Sequence, residues 1–298
     1  MNHKRLLLVA LLLIVPTIAG VVFAQRGGRQ RGWDDGFDDP SGRKGVPMWE
    51  NDERFKHDVF TFVRVQYTSY RNFGGYVDGG FGGFGGGGSG WDTDFPQSDL
   101  NFSFRLQQLT SFKVNPNPVA LRLTDEELFD YPFIYMIEPG RGIYLSDEEV
   151  AALRRYLLNG GFLMVDDFWG DDEWDVFYQQ IKRVFPDREP VELPIEHEIF
   201  RCVYKLKEKP QVPSYTSVDE SLLARGITWE RGHGSGAEIP HFRAIFDDKG
   251  RMMAIICHNT DLGDGWEREG TSEWYFHNFC ENKAYPMGIN IVTYALTH

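Results

Sequence analysis

The sequence predicts an α/β protein built on a mostly parallel sheet, and three observations carry that prediction. Phe133 to Ile137 is an unbroken apolar run too short for a helix interior, which suits a strand covered on both faces. Ser146 stands three residues ahead of Glu149, the spacing at which hydroxyl and carboxylate satisfy the free backbone donors of a helix start. Val150, Leu153 and Leu157 then make one apolar stripe, Gly160-Gly161 stops the helix, and Phe162 to Val165 begins a second strand at once. Such units close as right-handed crossovers, so both strands enter one sheet and their outgoing loops share a rim, where open α/β sheets bind ligands.

Taken in order, the chain opens with Lys4 and Arg5 ahead of the apolar run Leu6 to Ile14, and Val22-Phe23-Ala24 closes on a small-x-small pattern before Gln25. Residues 1–24 therefore read as a Sec-type signal peptide, with an uncleaved membrane anchor as the alternative. The short apolar stretch, interrupted by Pro16, favours cleavage. Either way the rest is expected outside the cytoplasm, periplasmic or secreted. Residues 25–58 alternate Arg/Gly and Asp/Gly clusters with isolated aromatics and no sustained period, as a flexible linker would. The domain is expected over 59–298. Val59 to Tyr67, β-branched and aromatic, is its first strand.

Between Gly74 and Gly90 eleven of seventeen residues are glycine, interleaved with Tyr76, Phe81 and Phe84. That density disfavours regular structure and predicts a mobile loop over the rim, either an aromatic lid or a neutral insertion. Thr93-Asp94-Phe95-Pro96 starts the next helix, with Asp94 as its cap and Phe102, Leu106 and Leu109 inward. After the central unit, Asp171 to Phe185 reads as a helix with Trp174, Phe177, Ile181 and Phe185 inward. The strands FRAIF and MMAIIC are joined by the turn Asp247-Asp248-Lys249-Gly250, and Glu273 to Cys280 and Ala284 to Leu296 look helical.

The formal charge is −13, and removing residues 1–24, with two basic side chains and no acidic one, makes it −15. Phosphate backbones and anionic membrane surfaces are therefore poor partners. Cys202, Cys257 and Cys280 form no CxxC; they allow one disulfide and a leftover thiol, or three inert buried thiols.

The DFP of Asp94 to Pro96, the segment LSDEEVAALRRYLLNGGFLMVDDF, the EHEIF around His197, HNTDLGDGWE and the closing AYPMGINIVTYAL together resemble the bacterial family catalogued as domain of unknown function 4159. The resemblance covers roughly Val59 to Leu296. It implies a fold like that of class I glutamine amidotransferases, a flavodoxin-like three-layer sandwich with helices on both faces of the sheet, and no established activity. Amidotransferase chemistry needs a cysteine on a sharp strand-to-helix elbow, with a histidine and an acid behind it. After Phe133 to Ile137 come Glu138-Pro139-Gly140-Arg141-Gly142, without Cys, Ser or Thr. Cys257 lies beside His258, but neighbours along a strand point to opposite faces.

What remains at the strand ends and loops is polar: Asp94, Asp166, Asp167, His197, Asn259 and Asp261, with Arg141 as a candidate anion contact. Each also has a local explanation, as a helix cap, an Asx-turn or a satisfied histidine. No HExxH, DxDxDG or close His pair supports a metal, and no cofactor is expected. The leading expectation is an exported, non-catalytic domain that binds a polar ligand or an envelope protein at the rim. The rival is a hydrolase using the Asp/His cluster, with or without metal, and a third reading is an interaction domain displayed on the glycine-rich loop.

Overall fold

The computed structural model describes residues 42–55, 58–69 and 90–298. The chain runs β1 (Val59–Phe60), β2 (Val63–Gln66), β3 (Thr68–Ser69), α1 (Gln97–Leu109), β4 (Lys113–Val114), β5 (Val119–Arg122), β6 (Phe133–Ile137), β7 (Ile143–Tyr144) and α2 (Asp147–Leu158). It continues through β8 (Phe162–Asp166), α3 (Gly170–Val184), β9 (Val191–Glu192), α4 (Glu220–Ala224), β10 (His241–Phe246) and β11 (Met252–His258). After α5 (Leu262–Glu267) and α6 (Glu273–Tyr275), a π-helical stretch, Phe276–Ala284, leads into α7 (Tyr285–Thr297).

The main sheet has the order β5-β2-β6-β8-β11-β10-β9. Its first five strands are mutually parallel, and β10 is antiparallel to both of its neighbours. The chain is thus the mostly parallel α/β protein that its apolar runs predict. From β2 the chain moves outward to β5, then returns to β6 on the other side of β2. That reversal opens a crevice at the carboxyl ends of β2 and β6.

Alternation along the strands builds two cores. Phe133, Tyr135 and Ile137 of β6 join Phe102 and Leu106 of α1, Trp266 of α5 and Ile289 of α7. Ile134 and Met136 face the other way, onto Leu153 and Leu157 of α2 and Phe177 and Ile181 of α3. A strand covered on both faces must be apolar at every position, and β6 and β8 are buried throughout.

The local signals of the central unit act as expected. Ser146 Oγ accepts from Glu149 N at 3.2 Å and Glu149 Oε2 accepts from Ser146 N at 2.8 Å. Gly160, at φ 107°, ends α2 where a side chain would be strained. Elsewhere the structure departs from expectation. Leu109 is 50 % exposed, because it is the last residue of α1 and no further turn packs beside it. Part of the expected linker is fixed on the domain. Arg43 donates to Val46 O, Pro116 O and Asn117 Oδ1, while Trp49 Nε1 and Asn51 Nδ2 both donate to Val114 O. All three cysteines are free thiols. The signal segment 1–24, the linker through residue 41 and nearly all of the glycine-rich loop lie outside the described residues.

Candidate functional site

Four non-glycine residues on the carboxyl side of the sheet adopt left-handed backbone: Asp94 (φ 61°), Glu138 (φ 48°), Asp167 (φ 55°) and Asn259 (φ 63°). Asp and Asn tolerate this region best, and each left-handed residue turns the chain sharply where it leaves or enters an element. The Tyr67 hydroxyl, just beyond β2, lies 2.8 Å from Ile137 O and 3.0 Å from Glu138 O and so holds the β6 turn. Glu138 in turn accepts from Thr93 Oγ1 at 2.8 Å and pairs with Arg141 at 2.9 Å.

Behind Asp94 stands Arg64, with no exposed surface. It pairs with the equally buried Asp99 and donates to Trp91 O, Thr93 O and Ser98 Oγ. This clamp fixes the loop that carries Asp94. The side chain of Asp94 does not cap α1; its carbonyl, not its carboxylate, accepts from Ser98 N. Its Oδ2 is closed to solvent and has no hydrogen-bond partner.

That carboxylate faces the turn after β11. Asp261 caps α5, with Oδ1 accepting from Asp264 N at 2.6 Å. Asp264 Oδ2 accepts from Tyr215 N at 2.5 Å and from the Tyr275 hydroxyl at 3.1 Å. One oxygen each of Asp94, Asp261 and Asp264 lies within 4.8 Å of the other two. Asp166, wholly buried at the end of β8, accepts on Oδ2 from the Tyr135 hydroxyl and Gly263 N, both at 3.0 Å, and leaves Oδ1 unpartnered.

Burial, reinforced by mutual repulsion, shapes the titration of the group. Asp94 is raised well above the ordinary 3.8 by burial, then by Glu267, Asp264 and Asp167. Asp261 is raised by burial, then by Asp167, Asp264 and Asp94. Asp167 is raised by burial, Glu138 and Glu230, with Arg141 opposing. Asp264 moves to about 6, chiefly by burial, and burial moves Asp166 to about 7. Geometry places these groups on one side of the sheet: oxygens of Asp94 and Asp261 lie within 4.8 Å of each other, and Asp167 N donates to Thr260 O, the residue before Asp261, at 3.1 Å.

The remaining sequence candidates fall out differently. Arg141 borders the same region, 3.8 Å from Glu173 as well as beside Glu138. Asn259 is spent on architecture: Oδ1 accepts from Gly170 N at 2.8 Å, and Nδ2 donates to Gly236 O and Ile239 O at 2.7 Å. His197 does not join the cluster. Its Nδ1 accepts from Ile199 N and its ring packs on Tyr294 of α7. Tyr285, at the other end of α7, is the residue that reaches Glu269 beside α5, and Tyr294 is roughly 13 Å further along the helix axis.

Sequence reasoning passed over four groups. Glu138 follows β6 directly, the same strand-end rule that nominates Asp167. Asp264 lies in the first turn of the helix that Asp261 caps. His233 and Glu230 come from a loop without a local signal. His233 joins Glu173 Oε1 at 2.9 Å and Glu230 Oε2 at 3.1 Å, and these carboxylates raise it to about 9. Glu138, and no cysteine, occupies the sharp turn after β6. Cys257 has no exposed surface, and burial pushes its thiol well above 9.0. The neighbouring His258 is committed to Gly170 O and Arg243.

Residues 62–296 match the model of the family described as Domain of unknown function (DUF4159). The chain belongs to that family. No curated protein matches it. In this DUF4159 domain the match spans β2 through α7, and so takes in the carboxyl rim and every residue of the acidic cluster.

Proposed function

We propose that this DUF4159 domain binds a polar ligand rich in hydrogen-bond donors, a polyol, sugar or ammonium-bearing group, at the carboxyl rim, without amidotransferase chemistry. The observation that carries the reading is the approach of Asp94 and Asp261, from two distant loops, to within 4.8 Å of each other, with Asp167 tied to Thr260 beside them, on the carboxyl side of the sheet. Burying mutually repelling carboxylates costs stability, and a donor-rich ligand supplies further partners, above all for Asp94 Oδ2, which has none. An anion would meet the wrong sign, and Arg141 is already engaged by Glu138 and Glu173.

Numbered among themselves, the five parallel strands run 2-1-3-4-5, the order of doubly wound flavodoxin-like sheets, which bind at this switch point. That order supports a flavodoxin-like, amidotransferase-like ancestry in which Glu138 stands on the elbow in place of a nucleophile. In this reading residues 1–24 export the domain, and the ligand is an extracytoplasmic molecule or a donor-bearing segment of an envelope protein. The rival hydrolase gains no support from His197, which stands apart from the carboxylates.

Thermal-shift measurements with sugars, polyols and peptides bearing free ammonium groups test the proposal. At least one class should raise the melting temperature of the native protein, and Asp167→Asn and Glu138→Gln should abolish that rise. If no member of the panel stabilises the native protein, the proposal fails.

A further inference from the structure

A carboxylate cluster alone is weak evidence of a ligand, because acidic side chains gather for many reasons. Here two further observations bear on it. Asp94 Oδ2 is shut off from solvent with no hydrogen-bond partner, and it is aimed at the turn between Asp261 and Asp264: a Cβ on Gly263 would lie 3.1 Å from it. Asp166, with no exposed surface, presses its carboxylate on the same Gly263 and leaves Oδ1 unpartnered. Glycine at 263 permits this close approach, since a Cβ would also come 2.8 Å from the Tyr135 hydroxyl.

We propose that Asp94, Asp261 and Asp264 bind a hard divalent cation of calcium size. The donors are all carboxylate oxygens, which suits calcium or magnesium rather than a thiolate- or imidazole-seeking metal. Calcium sits about 2.3–2.6 Å from its oxygens, so opposed ligands are roughly 4.6–5.2 Å apart, whereas magnesium requires about 4.0–4.2 Å. Three carboxylate oxygens within 4.8 Å of one another fit around either ion, and calcium is favoured because magnesium gives up its waters reluctantly and is seldom held by protein carboxylates alone. The site is prepared in advance. Asp261 is held by its cap to Asp264 N, Asp264 by Tyr215 N and Tyr275 on Oδ2 and by the Arg268 guanidinium, 3.3 Å away, on Oδ1, and the Asp94 loop by Arg64.

Calcium takes roughly six to eight oxygens, so three protein carboxylates leave about three to five positions for water or for adjacent hydroxyls of a ligand. This deepens the ligand-binding reading and shares Asp94 and Asp261 with it, but cation uptake is measurable without any organic ligand. Trp266, Tyr135 and Tyr275, all fully buried beside the cluster, serve as the donor for a luminescent probe.

The experiment is a terbium titration of chelator-treated protein, excited through tryptophan, followed by displacement with calcium and then magnesium. The native protein should give sensitised emission that calcium displaces at lower concentration than magnesium, and calcium should raise its melting temperature. Asp94→Asn should weaken binding by at least about tenfold, since affinity follows the number of charged ligands. Asparagine tolerates φ 61° and Oδ2 has no hydrogen bond to lose, so in chelator this variant should melt no lower than the native protein. Asp261→Asn, which keeps a capping oxygen, should weaken binding similarly. Native protein that takes up neither terbium nor calcium at millimolar concentration overturns the inference, as does an Asp94→Asn variant that binds as tightly as native. Cation uptake with no response to any sugar or amine would leave this inference standing and remove the ligand reading.

Discussion

Acidification should destabilise the turn from β8 into α3 through His258, and the effect can be isolated by substitution. The imidazole is 2 % exposed and packs against Phe168 and Trp174. Gly170 O, an acceptor 3.0 Å from Nε2, requires N–H there, so Nδ1 is the unprotonated nitrogen that accepts from Arg243 Nη1 at 3.1 Å. Burial, aided by the Arg243 charge, lowers the pKa from 6.5 to about 3 against the opposing Gly170 bond. The unfolded chain then takes up a proton near 6.5 while the folded one does not until about 3. Stability from this group is complete above 6.5 and drains away as pH falls through that window. Each pH unit is worth about 1.4 kcal/mol, so by pH 4.5 the loss is on the order of 2–3 kcal/mol.

His258→Gln keeps a donor and an acceptor but cannot titrate. At pH 7.5 it should be less stable than native by roughly 1–3 kcal/mol, from lost packing and imperfect hydrogen bonds. Urea unfolding at pH 7.5, 6.5, 5.5 and 4.5 should show that gap shrinking steadily and closing or inverting at the acid end. Comparing two proteins cancels the buried carboxyls, whose raised pKa values act in the opposite direction. A gap that is constant with pH, or a His258 imidazole seen by NMR to titrate near 6.5, would refute the reasoning.

Three further outcomes follow from the same structure. His233, raised to about 9 by Glu173 and Glu230, stabilises fully below 6.5 and loses that contribution as pH climbs to about 9; His233→Asn should therefore flatten the alkaline limb of the melting-temperature profile. Asp99→Ala leaves the Arg64 guanidinium buried and unpaired, and should lower unfolding free energy in urea by about 3–5 kcal/mol. The same substitution should weaken ligand or cation binding through the Asp94 loop. Gly140→Ala places a Cβ 2.4 Å from Glu173 Cβ and 3.0 Å from Phe168 Cβ, forcing the β6 turn away from α3. Calorimetry should register a cost of about 1–3 kcal/mol, and a neutral result would mean that this contact yields easily.

The central unit was legible because its signals are local. An apolar pentapeptide, a capping box and a Gly-Gly stop lie within 34 residues of one another, from Phe133 to Asp166, and each acts on its own neighbours. The β10–β11 hairpin was equally plain, its turn closed by Gly250 at φ 84°. Glu138 and Asp264 were open to the same strand-end and first-turn rules that nominated Asp167 and Asp261.

Other features had no local trace. A helix-start aspartate is normally a cap, and only the Arg64–Asp99 clamp shows that Asp94 instead turns its carboxylate to the Asp261 turn. His197 shares a motif with acidic neighbours, yet α7 holds it at the far end from α5. The sequence by itself determined an α/β chain with a parallel sheet and a polar rim, because periodicity and turn chemistry act over a few residues. Which carboxylates meet, and that His197 stands apart from them, was decided by the order β5-β2-β6-β8-β11 and the helices packed on it. Strand order arises from packing between segments distant in the chain, and so only the tertiary structure carries it.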